Sequence, residues 1–236
     1  LGCEAEEECF PYDVSDIKPF FRGVNCNRSI EKIYFHEMDL SNGDIFHILH
    51  SFFKKNGNLS DLAVLYGSFD EGCARQLSLT LRVCSKHLKS ITVSGNGMGE
   101  NSALSGEGIG DEQLGEIIEA LSTHYSLLKS IDLSHSYIGR SGCTALANLL
   151  PKTPELRALN LEDNDIDDEG VDILVNSLFI INSRLSELNL SCSRNITIRA
   201  YQSLAAMLKD PNSNLEKLIL TDNEIGVEGA LIFANA

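Results

Sequence analysis

One pattern recurs along this chain and restricts its fold more than any other feature. It can be written L-x-x-L-x-L-x-x-N-x-I-x-x-x-G-x-x-x-L-x-x-x-L. Its clearest copy runs Leu156, Leu159, Leu161, Asn164, Ile166, Gly170, Leu174, Leu178. The copy before it runs Leu128, Ile131, Leu133, Ser136, Ile138, Gly142, Leu146, Leu150. The copy after it runs Leu185, Leu188, Leu190, Ile196, Ala200, Leu204, Leu208, with one extra residue near Ser193. Weaker copies start at Ile30, Leu59 and Leu88, and a last one starts at Leu215 and is cut short at Ala236. Successive starts at 30, 59, 88, 128, 156, 185 and 215 give intervals of 29, 29, 40, 28, 29 and 30 residues.

Each part of the pattern implies a local structure. The L-x-L core alternates with period two, which marks a short strand with one buried face. The Asn position follows the strand, where a buried amide can satisfy backbone groups left open by a turn. Apolar residues then recur at spacing four, the mark of a helix with one apolar stripe. Gly or Ala at the helix start is expected to let the helix approach the strand closely. One such unit cannot cover its own apolar face, so units must stack. The expected fold is an α/β solenoid with a concave parallel sheet and convex helices, because each pair of strands is joined by a helical crossover.

The segments LRALNLEDNDIDDEGVDILVNSL (156–178), LKSIDLSHSYIGRSGCTALANLL (128–150) and LEKLILTDNEIGVEGA (215–230) carry a resemblance. They resemble the ribonuclease-inhibitor-like subfamily of leucine-rich repeats, over about residues 29–236. The resemblance implies a horseshoe of about six full repeats plus a partial one, used as an interaction scaffold. Ran GTPase-activating proteins and the sensor arms of innate-immune receptors use the same repeat type, and no residue set here singles out either.

The net charge of −15 narrows the partners. Phosphate backbones and anionic membranes call for basic surfaces, so neither nucleic acid nor membrane is expected. A partner protein with a basic surface is the natural complement. No apolar run approaches the roughly 18 residues of a spanning helix. Seven cysteines, widely spaced and without a C-x-x-C, suit reduced thiols in an intracellular, cytoplasmic setting. Four glycosylation sequons, at Asn27, Asn58, Asn189 and Asn195, point weakly the other way, and Asn189 falls inside an expected strand.

Residues 1–28 do not fit the repeat. Their Phe10, Tyr12, Phe20 and Phe21 are read as a cap over the open end of the stack, or as a linker. The 40-residue interval holds an insertion at about 98–108, MGENSALSGEG, expected as a loop at the rim. With no initial Met and an uncapped final repeat, the sequence reads as a piece of a longer chain or assembly, or otherwise a monomer.

In each strand the positions between the leucines are expected to face the concavity. Read across the repeats they form four ladders. The first is Lys32, Asp61, Ser90, Ser130, Ala158, Glu187, Lys217. The second is Tyr34, Ala63, Thr92, Asp132, Asn160, Asn189, Ile219. The third is His36, Leu65, Ser94, Ser134, Glu162, Ser191, Thr221. The fourth is Glu37, Tyr66, Gly95, His135, Asp163, Cys192, Asp222. Seven carboxylates (Glu37, Asp61, Asp132, Glu162, Asp163, Glu187, Asp222) face two lysines, and Tyr34 and Tyr66 lie on neighbouring strands. Aromatic anchors in a charged surround are a common make-up of interfaces. The expected partner-binding set is Tyr34, His36, Glu37, Asp61, Tyr66, Asp132, His135, Asn160, Glu162, Asp163, Glu187 and Asp222, set against a merely solvated face.

Catalytic motifs are not in view: there is no P-loop, H-E-x-x-H, G-x-S-x-G or EF-hand loop. Gly95, Gly97 and Gly99 read as a loop rather than a phosphate cradle. His47 and His50, and the run Asp165, Asp167, Asp168, Glu169, read as solvated helix positions rather than metal sites. Cys192 is a thiol with no identifiable activating neighbour. No cofactor is expected. The expected role is therefore a non-enzymatic scaffold. The alternative is a GTPase-activating regulator, for which Arg140 and Asn164 are nominal contacts, or the sensor arm of a larger receptor.

Overall fold

A computed structural model of the chain describes residues 29–36, 44–55, 58–65, 71–84, 86–95, 110–123, 126–180 and 184–235, together with Pro19. Within these, strand and helix alternate without exception. The strands are β1 (Lys32–His36), β2 (Asp61–Leu65), β3 (Ser90–Ser94), β4 (Ser130–Asp132), β5 (Ala158–Asn160), β6 (Glu187–Asn189) and β7 (Lys217–Ile219). The helices are α1 (Asp44–Lys55), α2 (Glu71–Cys84), α3 (Asp111–Leu121), α4 (Arg140–Leu149), α5 (Asp168–Ile180), α6 (Ile198–Lys209) and α7 (Gly226–Ala234). A short 3-10 turn, Leu150–Lys152, follows α4.

All seven strands form one sheet in chain order, every pair parallel. The register is the one the repeat predicts: Leu62 opposite Ile91, Ile131 opposite Leu159, Leu159 opposite Leu188. Each helix packs against the next along the stack. Strands sit about 4.8 Å apart whereas packed helices need about 8–10 Å. The helical side is therefore longer, and the stack bends with its sheet on the inside.

The core lies between the two layers. Leu128, Ile131, Leu133, Ile138, Leu146 and Leu149 of one repeat are buried, as are Leu156, Leu159, Leu161, Ile166, Leu174 and Leu178 of the next. The half-buried Leu215, Leu218, Leu220, Ile225 and Phe233 of the last repeat pack on the core from one side. The two clearest repeats thus bury every apolar position that defines them, and their glycines, Gly142 and Gly170, as well.

The Asn position acts as expected, in greater detail than its spacing reveals. Asn164 is buried, and its Nδ2 donates to the carbonyls of Leu133 (2.9 Å), Leu161 (3.1 Å) and Glu162 (3.2 Å). Its Oδ1 accepts from the Ile138 N–H at 3.0 Å. One side chain therefore ties two successive turns together. Asn223 repeats this two intervals on, donating to Leu190 O (2.8 Å) and accepting from Ser193 N–H (2.7 Å).

The glycine at each helix start has a different neighbour from the one its position suggests. A Cβ on Gly142 would meet Asp111 Oδ1 and Ile138 Cγ2 at 2.6 Å and Leu114 Cδ2 at 3.0 Å. The close approach is thus to the preceding repeat's helix and the residue's own turn. Asp111 is the reason, because it caps α4 from one repeat away. Its carboxylate accepts from the N–H groups of Gly139 (2.8 Å), Gly142 (2.8 Å) and Ser141 (3.2 Å). Asp168 does the same for α6, accepting from Thr197 N–H at 2.7 Å.

Residues 1–28 other than Pro19, the insertion at 98–108 and Gly97 and Gly99 lie outside the described residues, as do the aromatics Phe10, Tyr12, Phe20 and Phe21.

Candidate functional site

Opposite the helices, the concave sheet face is not covered by any described element. Tyr34 is 54% exposed in the middle of β1. Lys32, Asp61, Ser90, Ser130, Ala158, Glu187 and Lys217 form the first ladder in the observed register. Tyr34, Ala63, Thr92, Asp132, Asn160, Asn189 and Ile219 form the second in the same way. His36 is exposed at the end of β1, opposite Leu65. Glu37 and Tyr66 lie outside the described residues, so the pairing of two tyrosine anchors rests on Tyr34 alone.

The fourth ladder departs from the expectation. His135, Asp163, Cys192 and Asp222 all have positive φ, between 52° and 57°, and Gly95 has φ 68°. Period-two alternation ends one residue earlier, and these positions turn the chain out of the sheet. They therefore line the rim at the strands' C-terminal ends rather than the floor of the concavity. The residues that turn the chain sit two places before the third ladder. Asp132, Asn160 and Asn189 each accept, through Oδ1, the N–H two residues on: Ser134 at 3.0 Å, Glu162 at 3.1 Å and Ser191 at 3.0 Å. Asx side chains favour this local bond. Asn160 consequently has a structural reason to be Asn whether or not it meets a partner, and Asn189, 9% exposed and also bonded to Glu162, cannot display a glycan in this fold.

Glu37 apart, the other six carboxylates of the ladders differ in what stands beside them. Asp61 pairs with Lys32 at 3.5 Å and Glu187 with Lys217 at 2.6 Å, each lysine one strand away on the first ladder. Those two charges are largely cancelled. Asp163 Oδ2 accepts a hydrogen bond from His135 Nδ1 at 3.0 Å. Asp132, Glu162 and Asp222 have no cationic partner among the described residues. Glu162 instead accepts from Asn189 Nδ2 at 3.0 Å. The uncancelled negative charge thus runs from the middle of the concave face to its rim.

At that rim lies an open cleft of about 370 Å³ spanning three repeats, lined by Tyr137, Asp163, Asp165, Cys192, Arg194 and Asn195 among others. Burial raises the Cys192 thiol's pKa, and the nearby Asp222, Glu162 and Asp163 raise it further, with only Arg194 opposing. Cys192 is therefore held as a neutral thiol. Tyr137 and Arg194 were not among the residues marked by the sequence, and Asn195 was marked only as a glycosylation sequon. The available signal was the extra residue near Ser193.

Other residues singled out by the sequence serve the scaffold. Asp167 and Glu169 hold Arg140 at 2.6 and 2.9 Å, and Arg199 bonds Glu169 and Asp172 at 2.6 and 2.7 Å. Asp167 and Glu169 of the carboxylate run are thereby engaged in linking three helices, whereas Asp165 is not. Arg140 and Asn164, the nominal contacts for GTPase activation, are respectively ion-paired and buried. Among the described residues no group of three or more His, Cys, Asp or Glu side chains could hold a metal ion. His47 is exposed on α1 and His50 partly so. No helix among the described residues is long and apolar enough to cross a membrane.

Comparison with known proteins gives the same frame. The leucine-rich-repeat family pattern matches residues 154–174 and 212–234. Human NACHT, LRR and PYD domains-containing protein 14 is 27% identical over 205 residues, covering 86% of this chain and 17% of that protein. Ribonuclease inhibitor of Sus scrofa is 27% identical over 124 residues, covering 52% of this chain and 27% of the inhibitor. The chain thus spans about a quarter or less of the length of these relatives. Among solved structures, the leiomodin-1 Actin-Binding Site 2 aligns with a TM-score of 0.52 at 20% identity, over 67% of this chain and 83% of that one. The Caenorhabditis elegans tropomodulin C-terminal domain aligns at 0.50 and 18%, over 69% and 89%. Those two likenesses concern the fold. Repeat, register, Asn bonding and relatives agree: the chain is a leucine-rich-repeat solenoid, similar to proteins of the ribonuclease-inhibitor-like type.

Proposed function

We propose that this chain is a non-enzymatic binding scaffold whose concave face holds a partner protein through a basic surface. The observation that carries this reading is the strip of Asp132, Glu162 and Asp222, open to solvent or half-buried and without cations beside it. Charge left uncancelled on an open face favours partners of the opposite sign and speeds their encounter. Tyr34 supplies an exposed aromatic contact at the N-terminal end. Proteins of this repeat type act as interaction scaffolds, and the relative from Sus scrofa is named a ribonuclease inhibitor. The proposed setting is intracellular, with reduced thiols.

A second reading is the sensor arm of a larger receptor. It is favoured by the NACHT, LRR and PYD domains-containing relatives, one of which matches most of this chain with a small part of itself. The two readings share the concave face and differ in what is attached to it. Sequencing full-length transcripts discriminates them: an adjoining nucleotide-binding domain supports the arm, and a chain of repeats alone supports the free scaffold.

The test of the shared reading is capture of partners from lysate at low and high salt, with the recovered proteins identified by mass spectrometry. Basic proteins are expected to dominate the low-salt capture and to fall away as salt screens the face. A Tyr34→Ala variant is expected to recover less. Partners that are acidic, or whose recovery is indifferent to salt, count against the reading.

A further inference from the structure

One arginine on this molecule stands apart from the others. Among the described residues, Arg75, Arg82, Arg140, Arg184 and Arg199 each meet a carboxylate of another repeat, and Arg157 meets Glu155 beside it and the Arg184 carbonyl. Arg194 meets no carboxylate within ion-pair distance, and it is exposed. Several described lysines, among them Lys89, Lys129 and Lys152, are unpaired too, but Arg194 is the one arginine among the described residues without a carboxylate beside it.

Its position is also out of the ordinary. From the last strand leucine to the loop isoleucine, the repeats run Leu133 to Ile138, Leu161 to Ile166 and Leu220 to Ile225. The sixth repeat runs Leu190 to Ile196, one residue longer. The added length closes as a tight turn, with Ile196 N–H donating to Ser193 O at 3.2 Å, and Arg194 lies within that turn. The turn borders the rim cleft of about 370 Å³, where Asp163 and Asp165 of the preceding repeat and Tyr137 of the one before also lie. Asp165 is exposed and has no side-chain partner among the described residues, and Tyr137 is 41% exposed.

We propose that this cleft binds a segment of the partner protein in which an acidic side chain stands next to a basic one, with Arg194 receiving the carboxylate and Asp165 the cation. This deepens the reading of the concave face and rests on it. A purely anionic ligand is disfavoured, because Asp163 and Asp165 line the cleft with the one arginine, and Asp222 and Glu162 lie near Cys192, which also lines it. A purely basic segment fits the carboxylates but sets its charge against Arg194. The mixed pair satisfies both poles, and planar guanidinium–carboxylate contact adds geometric selection. Arg194 is thus a specificity-determining residue, selecting among basic partners those with an acidic residue at one place. The open cleft adjoins the concave face, which suits a protein segment that continues along the sheet.

The experiment is an NMR titration of the ¹⁵N-labelled chain with three capped dipeptide amides: Ac-Glu-Lys-NH2, Ac-Lys-Lys-NH2 and Ac-Glu-Glu-NH2. Ac-Glu-Lys-NH2 is expected to give saturable shifts at Tyr137, Asp165 and Asn195, with affinity several-fold above that of the other two at the cleft. In Arg194→Gln, an exposed turn substitution whose fold the same spectrum verifies, that preference is expected to vanish. The proposal is overturned if Ac-Lys-Lys-NH2 binds the cleft as well as Ac-Glu-Lys-NH2, or if Arg194→Gln leaves the preference intact. Shifts from Ac-Lys-Lys-NH2 near Asp132 and Glu162, with no preference at the cleft, overturn the Arg194 proposal alone. No shift from any peptide at either place overturns the wider reading of the face as well.

Discussion

At the scale of single residues, the fold depends on polar side chains that bond backbone groups away from water. Asn164 satisfies three carbonyls and one N–H from two repeats. Leaving buried polar groups unpaired costs about 1–3 kcal/mol each, so Asn164→Ala is expected to destabilise the chain by about 3 kcal/mol in urea denaturation. Ser136, the residue at the same place one repeat earlier, donates only to Ser134 O. Ser136→Ala is therefore expected to cost clearly less, and equal losses would contradict the bonding scheme. The thiols offer a second check at this scale. Burial pushes the Cys143 pKa up to about 12, and Cys192 is also raised. Thiolates are the reactive form, so at about pH 8 Cys143 is expected to resist alkylation until the chain unfolds. Cys192 is expected to react more slowly than a thiol of ordinary pKa. Rapid labelling of Cys143 in the folded chain would refute its placement between helices.

At the scale of elements, the helix starts are linked from repeat to repeat by carboxylates. Asp111 caps α4, and Asp167 accepts from Gly170 N–H at 2.9 Å while holding Arg140. Loss of a cap typically costs about 1 kcal/mol, and Asp111 serves three N–H groups, so Asp111→Ala is expected to cost about 1–2 kcal/mol. The Arg140 hydrogen bond, aided by the Gly170 N–H, lowers the Asp167 pKa below the ordinary aspartate value. A depressed carboxylate contributes stability that is present above its unfolded pKa and is lost as pH falls through the folded one. Stability is thus expected to drop below about pH 4, and Asp167→Asn, which keeps the acceptor for Gly170, is expected to flatten that drop. Urea midpoints across the acid range measure it. Much of this scale was legible in sequence. Leu156, Leu159 and Leu161 name strand β5, and Gly170, Leu174 and Leu178 name helix α5, because periods of two and four are imposed by burial. The fourth ladder was not legible. His135, Asp163 and Cys192 are ordinary residues in left-handed backbone, and only Gly95 in that ladder signals a positive φ. The cancellation of Asp61 and Glu187 by lysines on the adjoining strands follows from register once charges are paired across the ladder instead of being counted.

At the scale of the whole molecule, the strip of carboxylates remaining on the sheet is the basis of the proposed function. Two substitutions isolate its charge. Asp132→Asn keeps the Oδ1 that bonds Ser134, as Asn160 and Asn189 show at the same rung. Glu162→Gln keeps an oxygen for Asn189 Nδ2. The double variant is therefore expected to hold its stability within about 0.5 kcal/mol. Its sheet retains shape and loses charge. The most direct measurement is the dissociation constant of a captured basic partner, for the natural chain and this double variant, as a function of salt. The account predicts binding about five- to tenfold weaker at low salt, and a shallower salt dependence. Equal affinity and equal salt dependence in the two proteins would contradict it.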